Sequence, residues 1–275
     1  MKKRSKHGHT KTSDASAADS ISRDTSPYIH QSAKLKHSLH ISCKYPLTEK
    51  QQVILDTATD KRSKVIMIDG YWGTGKNLIA TLASLQLMNE KKLSGIVYIR
   101  NPLEATNTAK VGTLPGSLED RMELYNAVLY DKLGELLPKS DIDLLEKEER
   151  IECYPVGLIQ GRTFACKAVI VDEAASLSWD DLMLVISRMG EYSKLFIIGD
   201  SKFQLAMGNR SGFRHFFETF YDADSQAHGV FNFELRTKED IKRSGLLRFV
   251  MEKTGAIPHT VGGEPEPMFP TPYSV

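Results

Sequence analysis

The sequence predicts an α/β fold, a mostly parallel sheet with helices on both faces, from three features. Short apolar runs at Val65–Ile68, Ile96–Ile99, Ala168–Val171, Leu195–Ile198 and Val230–Phe233 alternate with longer helix-prone stretches, the pattern of strands joined by crossover helices. The runs at 168–171 and 195–198 are apolar at every position, which suits strands buried on both faces. A glycine-rich turn, Gly70–Lys76, stands between the first strand and an amphipathic run, the context a phosphate-binding loop requires.

Taken in order, residues 1 to about 40 are rich in Ser, Thr, Lys, His and Asp without apolar periodicity, which predicts a disordered tail. Residues 1–46 hold nine Lys/Arg against three Asp, a net of +6, leaving −5 for the rest of a chain whose total is +1. Such a basic tail can touch nucleic acid or simply be a solvated extension. The body is expected over 45–255. Leu47–Gln52 opens a helix that Thr48 can cap. These residues alone fit a plain capped helix as well as a functional one.

In the loop, Gly70, Gly73 and Gly75 allow the backbone to curl so that successive N–H groups face one anion. Lys76 adds a charge for β- and γ-phosphates, and the following helix turns its positive end the same way. Asn77 occupies the position usually held by Ser or Thr, whose hydroxyl holds Mg²⁺; a carboxamide oxygen can also ligate that ion.

After the second strand come Arg100-Asn101-Pro102 and the turn cluster Gly112–Gly116. Residues 118–150 predict a small helical insert with Leu124, Val128, Leu133, Leu136 and Leu137 on its apolar face. Ile151–Val156 reads as a short strand, followed by Gly161-Arg162-Thr163. The next strand ends in Asp172-Glu173, and Ser178 with Asp181 forms a capping box for the helix behind it. The strand at 195–198 ends in Gly199-Asp200-Ser201-Lys202-Phe203-Gln204. A helix over Lys238–Lys253 and a Pro-rich tail over 256–275 close the chain.

Right-handed crossovers bring the tips of the strands ending at Ile68, Val171 and Ile198 to one edge of the sheet. There Lys76 and the loop amides can hold a triphosphate, Asp172 can hold Mg²⁺ through water, and Glu173 can polarise the attacking water as general base. Gln204, with a donor and an acceptor on one side chain, can sense the γ-phosphate. Taken alone, Asp172-Glu173 also fits a helix cap or a solvated pair.

With 41% hydrophobic and 26% charged residues among 275, the composition is that of a globular protein. Cys43, Cys153 and Cys166 are few and far apart, so disulfides and a Cys/His metal site are not expected. No apolar run approaches the roughly 18 residues of a membrane span, and Met1–Arg4 is not followed by an apolar segment, so a cytoplasmic setting is expected.

Several segments in order carry a resemblance over about Leu47–Thr254: Gly70–Lys76, Arg100–Glu104, Gly112–Gly116, Tyr130-Asp131 with Leu133, Gly161–Thr163 (with Gln160 where an arginine is usual), Val169–Ala174, Gly199-Asp200 with Gln204, Ser211-Gly212, and Asp240–Arg243. The set resembles the PhoH-like family of P-loop ATPases, related to the first ATPase domain of superfamily 1 helicases. The resemblance implies a RecA-like P-loop NTPase sheet, Mg²⁺-dependent ATP hydrolysis with ATP and ADP as ligands, action on single-stranded RNA or DNA, and homo-oligomeric rings such as hexamers. It implies catalytic roles for Lys76, Glu173 and Gln204. Arg243 and Arg162 are candidates for an arginine offered to a neighbouring protomer's nucleotide; a surface salt bridge is the alternative for each. Nucleotide contacts are implied for Gln51, which resembles a glutamine that reads the adenine edge, and for Gly70, Tyr71, Trp72, Gly73, Thr74, Gly75, Lys76 and Asn77. Asn77 and Asp172 are the implied metal ligands, and Arg100 and Asn101 lie where helicases contact the strand backbone.

Three departures stand out. Asn77 replaces the hydroxyl residue, which leaves open a nucleotide-binding switch with little hydrolysis. Tyr71 and Trp72 replace small residues and either pack under the loop or narrow the pocket. No second helicase domain is recognised, so a single copy is not expected to ratchet along a strand. A nucleotide-independent RNA-binding protein acting through the basic tail is a third reading.

Overall fold

The computed structural model describes residues 34–101, 118–202 and 211–257. Gln204, Pro102–Glu104, the 112–116 cluster, residues 1–33 and the segment from 258 onward lie outside the described residues.

The elements are α1 (Glu49–Thr59), β1 (Val65–Gly70), α2 (Lys76–Asn89), β2 (Gly95–Arg100), α3 (Leu118–Leu136), α4 (Lys139–Lys147), β3 (Ile151–Tyr154), β4 (Lys167–Asp172), α5 (Trp179–Ser187), β5 (Lys194–Gly199), α6 (Phe213–Thr219), α7 (Ala223–Ala227), β6 (Val230–Leu235) and α8 (Gly245–Lys253). The six strands form one sheet in the order β3-β2-β4-β5-β1-β6, with every pairing parallel. The fold is therefore α/β.

Strand periodicity divides the core in two. Ile66, Ile68, Ile96, Tyr98, Ile170, Phe196 and Ile198 point to one face, where α1 to α4 cover them. The alternate residues Met67, Val97, Ile99, Val169, Val171, Leu195 and Ile197 point to the other, under α5 and α6. Both faces being covered explains why these strands read as unbroken apolar runs rather than alternating ones. Both expected caps form, at Thr48 and at Ser178, each completed as a capping box by Gln51 and Asp181.

Two expectations need correction. Leu35 and Leu39, in the stretch assigned to the tail, are buried in the first core cluster. The Leu39 N–H donates to Asn89 Oδ1 at 2.7 Å and the His40 N–H to Asp141 Oδ2 at 2.6 Å. Two leucines among Ser, Lys and His leave no periodic signal; their partners lie on α2 and α4. The helices expected at 118–150 form as α3 and α4. Leu129, Leu133, Leu136, Leu137 and Leu145 share the core of Ile96 and Tyr98, so α3 and α4 are the crossover between β2 and β3. Finally, the helix expected from Lys238 starts only at Gly245, capped by Ser244. Lys238–Arg243 instead packs as a loop against the glycine turn. Among the described residues no helix is long and apolar enough to cross a membrane.

Candidate nucleotide site

β1 delivers the chain to the C-terminal edge of the sheet, and the glycine turn joins it to α2. Gly73 and Gly75 have φ of +74° and +80°, a region where a Cβ is strained. Gly70 is glycine for a different reason: it ends β1 beside β6, and a Cβ there would sit 2.7 Å from the Leu235 carbonyl oxygen. The turn is braced from within and behind. Thr74 Oγ1 donates to the Tyr71 carbonyl at 2.8 Å, and the Lys242 and Arg243 N–H groups donate to the Gly73 carbonyl at 2.8 and 3.2 Å.

Lys76 Nζ donates to the carbonyls of Gly70 (2.6 Å) and Tyr71 (2.8 Å). Burial pushes its pKa down, while the carboxylates of Asp200, Asp172, Glu173 and Asp69 oppose that shift. Asn77 Oδ1, one residue on, is a buried acceptor without a hydrogen-bond partner. A bare acceptor at that position is what a hard cation requires, so the residues present fit Mg²⁺. Among the described residues no group of three or more His, Cys, Asp or Glu is arranged to hold a metal by itself.

Asp172 ends β4, opposite Arg100 in the register with β2. Its carboxylate accepts from Tyr98 Oη at 2.5 Å and from the Glu173 N–H at 2.9 Å. The same contact, with burial as the larger cause, pushes the Tyr98 phenol well above its usual range. Glu173 follows in the left-handed region, φ +55° and ψ +39°, an unusual conformation for a non-glycine residue that turns it out of the strand pattern. It pairs with Arg100 at 3.6 Å. Burial, then the Asp172 charge, raises its carboxyl pKa; Arg100 and Lys76 hold it back.

A cleft of about 510 Å³ gathers these groups. It is lined by Gln51, Trp72, Gly73, Thr74, Gly75, Lys76, Asn77, Asp172, Glu173 and Arg243, together with Tyr45–Leu47 and Asp200. The strand tips expected at one edge, carrying the loop to Lys76, Asp172-Glu173 and Gly199-Asp200, therefore meet in one cleft. The two aromatic residues divide between the two expectations for them: Tyr71 is buried under the loop with Ile241 and Met251, whereas Trp72 is exposed at the cleft. Gly70 and Tyr71 are not on the cleft wall; their carbonyls accept from Lys76 Nζ. Arg243 lines the cleft beside Gly73, its N–H donating to the Gly73 carbonyl. Arg162 lies off the cleft, its guanidinium carbon 4.2 Å from the Tyr154 ring centroid. Asn101 Nδ2 donates to the Ser176 carbonyl at 3.3 Å.

A group behind the loop escaped the sequence reading. Asp69, fully buried, accepts from the Ser201 N–H (3.0 Å) and Oγ (2.7 Å) and pairs with Arg236 (2.5 Å) and Arg214 (3.4 Å). Arg236 also faces Asp200 at 3.8 Å and the Tyr71 ring at 5.3 Å. Burial raises the Asp200 pKa against the Lys202 N–H and the charges of Lys76 and Arg236. One signal was available: Asp69, Asp200, Ser201 and Arg236 fall at or just past the C-terminal end of a strand, where open α/β sheets place their sites; Arg214, on α6, carried no such signal.

The chain is 31% identical to Protein PhoH2 of Thermobispora bispora over 165 residues, 59% of this chain and 38% of that protein. It is 30% identical to the PhoH-like protein of Mycobacterium tuberculosis over 180 residues, 65% and 50% of the two chains. The chain thus spans about half the length or less of these two relatives. Among solved structures, the Sulfolobus solfataricus SWI2/SNF2 ATPase core in complex with dsDNA aligns over 76% of this chain and 49% of that one, at 12% identity and a TM-score of 0.42. The family model described as "PhoH-like protein" matches residues 44–254, from the segment before α1 to the end of α8, and by that match the chain belongs to the PhoH-like family of P-loop NTPases.

Proposed function

We propose that this protein is an Mg²⁺-dependent ATPase whose turnover is coupled to single-stranded RNA or DNA, acting as a homo-oligomer. The observation that carries the reading is the convergence in one cleft of the loop ending at Lys76, the Asp172-Glu173 pair and Asp200. Phosphoryl transfer needs positioning and charge neutralisation more than covalent chemistry. The loop amides and Lys76 Nζ bind the β- and γ-phosphates, the amine exchanging its loop carbonyls for phosphate oxygens. Asn77 Oδ1 and the Asp172 carboxylate would hold Mg²⁺, which neutralises triphosphate charge when bound. Glu173, turned out of the strand and raised in pKa, orients and deprotonates the attacking water; Arg100 fixes its carboxylate. Arg243, beside the loop, neutralises charge developing on the phosphates of its own chain's nucleotide. Gln204 senses the γ-phosphate, and Arg162, off the cleft, is the arginine available to a neighbouring copy.

Phosphate release by the full chain with ATP and Mg²⁺, with and without RNA or single-stranded DNA, tests this. Turnover is expected, and Glu173→Gln abolishes it while nucleotide binding persists. Purified protein that releases no phosphate under any of these conditions sinks the reading.

A second reading, a nucleotide-binding switch with little hydrolysis, is favoured by Asn77 at the metal position. Asn77→Thr separates the two. A strong gain in turnover identifies the natural residue as a brake, and unchanged turnover removes that idea.

A further inference from the structure

The cleft has two chemically different ends. Around Lys76 it is charged. Its wall also holds Tyr45, Pro46, Leu47, Gln51 and Trp72, together with Lys132 and Glu135, whose charges pair with each other on α3. Telling adenine from guanine requires a donor and an acceptor aimed at the base edge. A site that holds such groups rejects the wrong base strongly, whereas an apolar wall discriminates little. Gln51 carries the carboxamide that could do this, but both its ends are committed. Oε1 accepts from the Thr48 N–H at 2.9 Å, closing the capping box of α1, and Nε2 donates to the Thr74 carbonyl at 2.9 Å. The residue is 3% exposed, which leaves its second lone pair and second N–H little access to a ligand. The loop rests directly on it: a Cβ at Gly75 would lie 2.8 Å from Nε2. Turning the carboxamide toward a base would uncap α1 and strip the loop of its support. Pro46 has no N–H to offer. The wall also offers two ring faces, with Trp72 47% and Tyr45 62% exposed, and every base stacks on an aromatic face.

We propose that the site takes nucleoside triphosphates without selecting the base, holding the triphosphate through the loop and the base by stacking on Trp72, with Gln51 a brace for the loop rather than a reader of adenine. This rests on the nucleotide-site reading above. It replaces the adenine-reading role that the resemblance implied for Gln51.

The test is displacement of a fluorescent ADP analogue from the full chain by ATP, GTP, CTP and UTP in the presence of Mg²⁺, which needs no turnover. The four dissociation constants are expected within about fivefold of one another. Trp72→Ala is expected to weaken all four by a common factor on the order of tenfold, and Gln51→Ala to weaken all four alike. ATP binding more than about 30-fold tighter than GTP in the unmodified protein would overturn the proposal, most directly if Gln51→Ala erased the difference. Failure of every triphosphate to displace the probe would overturn it together with the nucleotide reading. Displacement by all four without phosphate release would uphold it while removing hydrolysis.

Discussion

Two lysines are withdrawn from water at opposite ends of the same sheet, and they do different things. Lys194 opens β5 at the N-terminal edge, where its ammonium donates to the carbonyls of Asp60 and Ser63 and to Ser63 Oγ. Burial pushes its pKa down to about 8. Lys76 stands at the C-terminal edge, also lowered by burial, with two loop carbonyls as partners. Lys194 sits in a cage made by the α1–β1 turn. Lys76 has an open side, facing a cleft that also holds Asp172, Glu173 and Asp200. A buried cation with a lowered pKa therefore does not by itself mark a site; the unfilled side and the carboxylates across it do.

The largest effect expected from this contrast is on turnover. Lys76→Ala should lower phosphate release by about a thousandfold or more, as loss of a transition-state charge contact does, while the midpoint of thermal unfolding moves by only a few degrees. A collapse of the fold in that variant would place Lys76 with Lys194 as a structural lysine.

Lys194→Ala should do the reverse. It takes a donor from three oxygens, of which the Asp60 carbonyl and Ser63 Oγ keep other partners, at a cost of about 1–3 kcal/mol in urea unfolding, and leaves turnover of the folded fraction within about twofold. Lost catalysis at unchanged stability would erase the distinction between the two ends.

A pH series sharpens it further. With a folded pKa near 8 and an unfolded value of about 10.4, Lys194 holds fewer protons folded than unfolded between those limits. Below about pH 8 both states are charged and the burial penalty is present in full. Above it the penalty is relieved, so stability should climb with pH, by about 1.4 kcal/mol per unit at most. Comparing wild type with Lys194→Met across pH 7–10.5 isolates this slope, and parallel curves would show that the cage holds the ammonium without strain.

The smallest effect concerns the orientation of Asp172. Tyr98→Phe removes the 2.5 Å hydrogen bond to its carboxylate and should reduce turnover by about tenfold with a higher Mg²⁺ requirement, the size of loss seen when a metal ligand's supporting contact is deleted. An unaltered Mg²⁺ titration would detach Tyr98 from the site.

Much of this protein was legible in its sequence because the informative signals are local. The apolar runs, the Thr48 and Ser178 caps and the glycine turn each act within a few residues, and each forms as expected. Local signals failed where a neighbour from elsewhere in the chain decided. Tyr71 and Trp72 are adjacent and alike, and only the cluster of Ile241 and Met251 draws one inward. Leu35 and Leu39 looked like tail residues because their partners lie on α2 and α4.

By itself the sequence determined the layered α/β architecture and the polar ends of its strands, since strand period, capping and glycine turns are properties of short stretches. Tertiary structure alone decided which side chains meet at those ends. Asp69 and Ser201 lie 132 positions apart and bond directly, and no pattern along the chain encodes a contact that the parallel register of neighbouring strands creates.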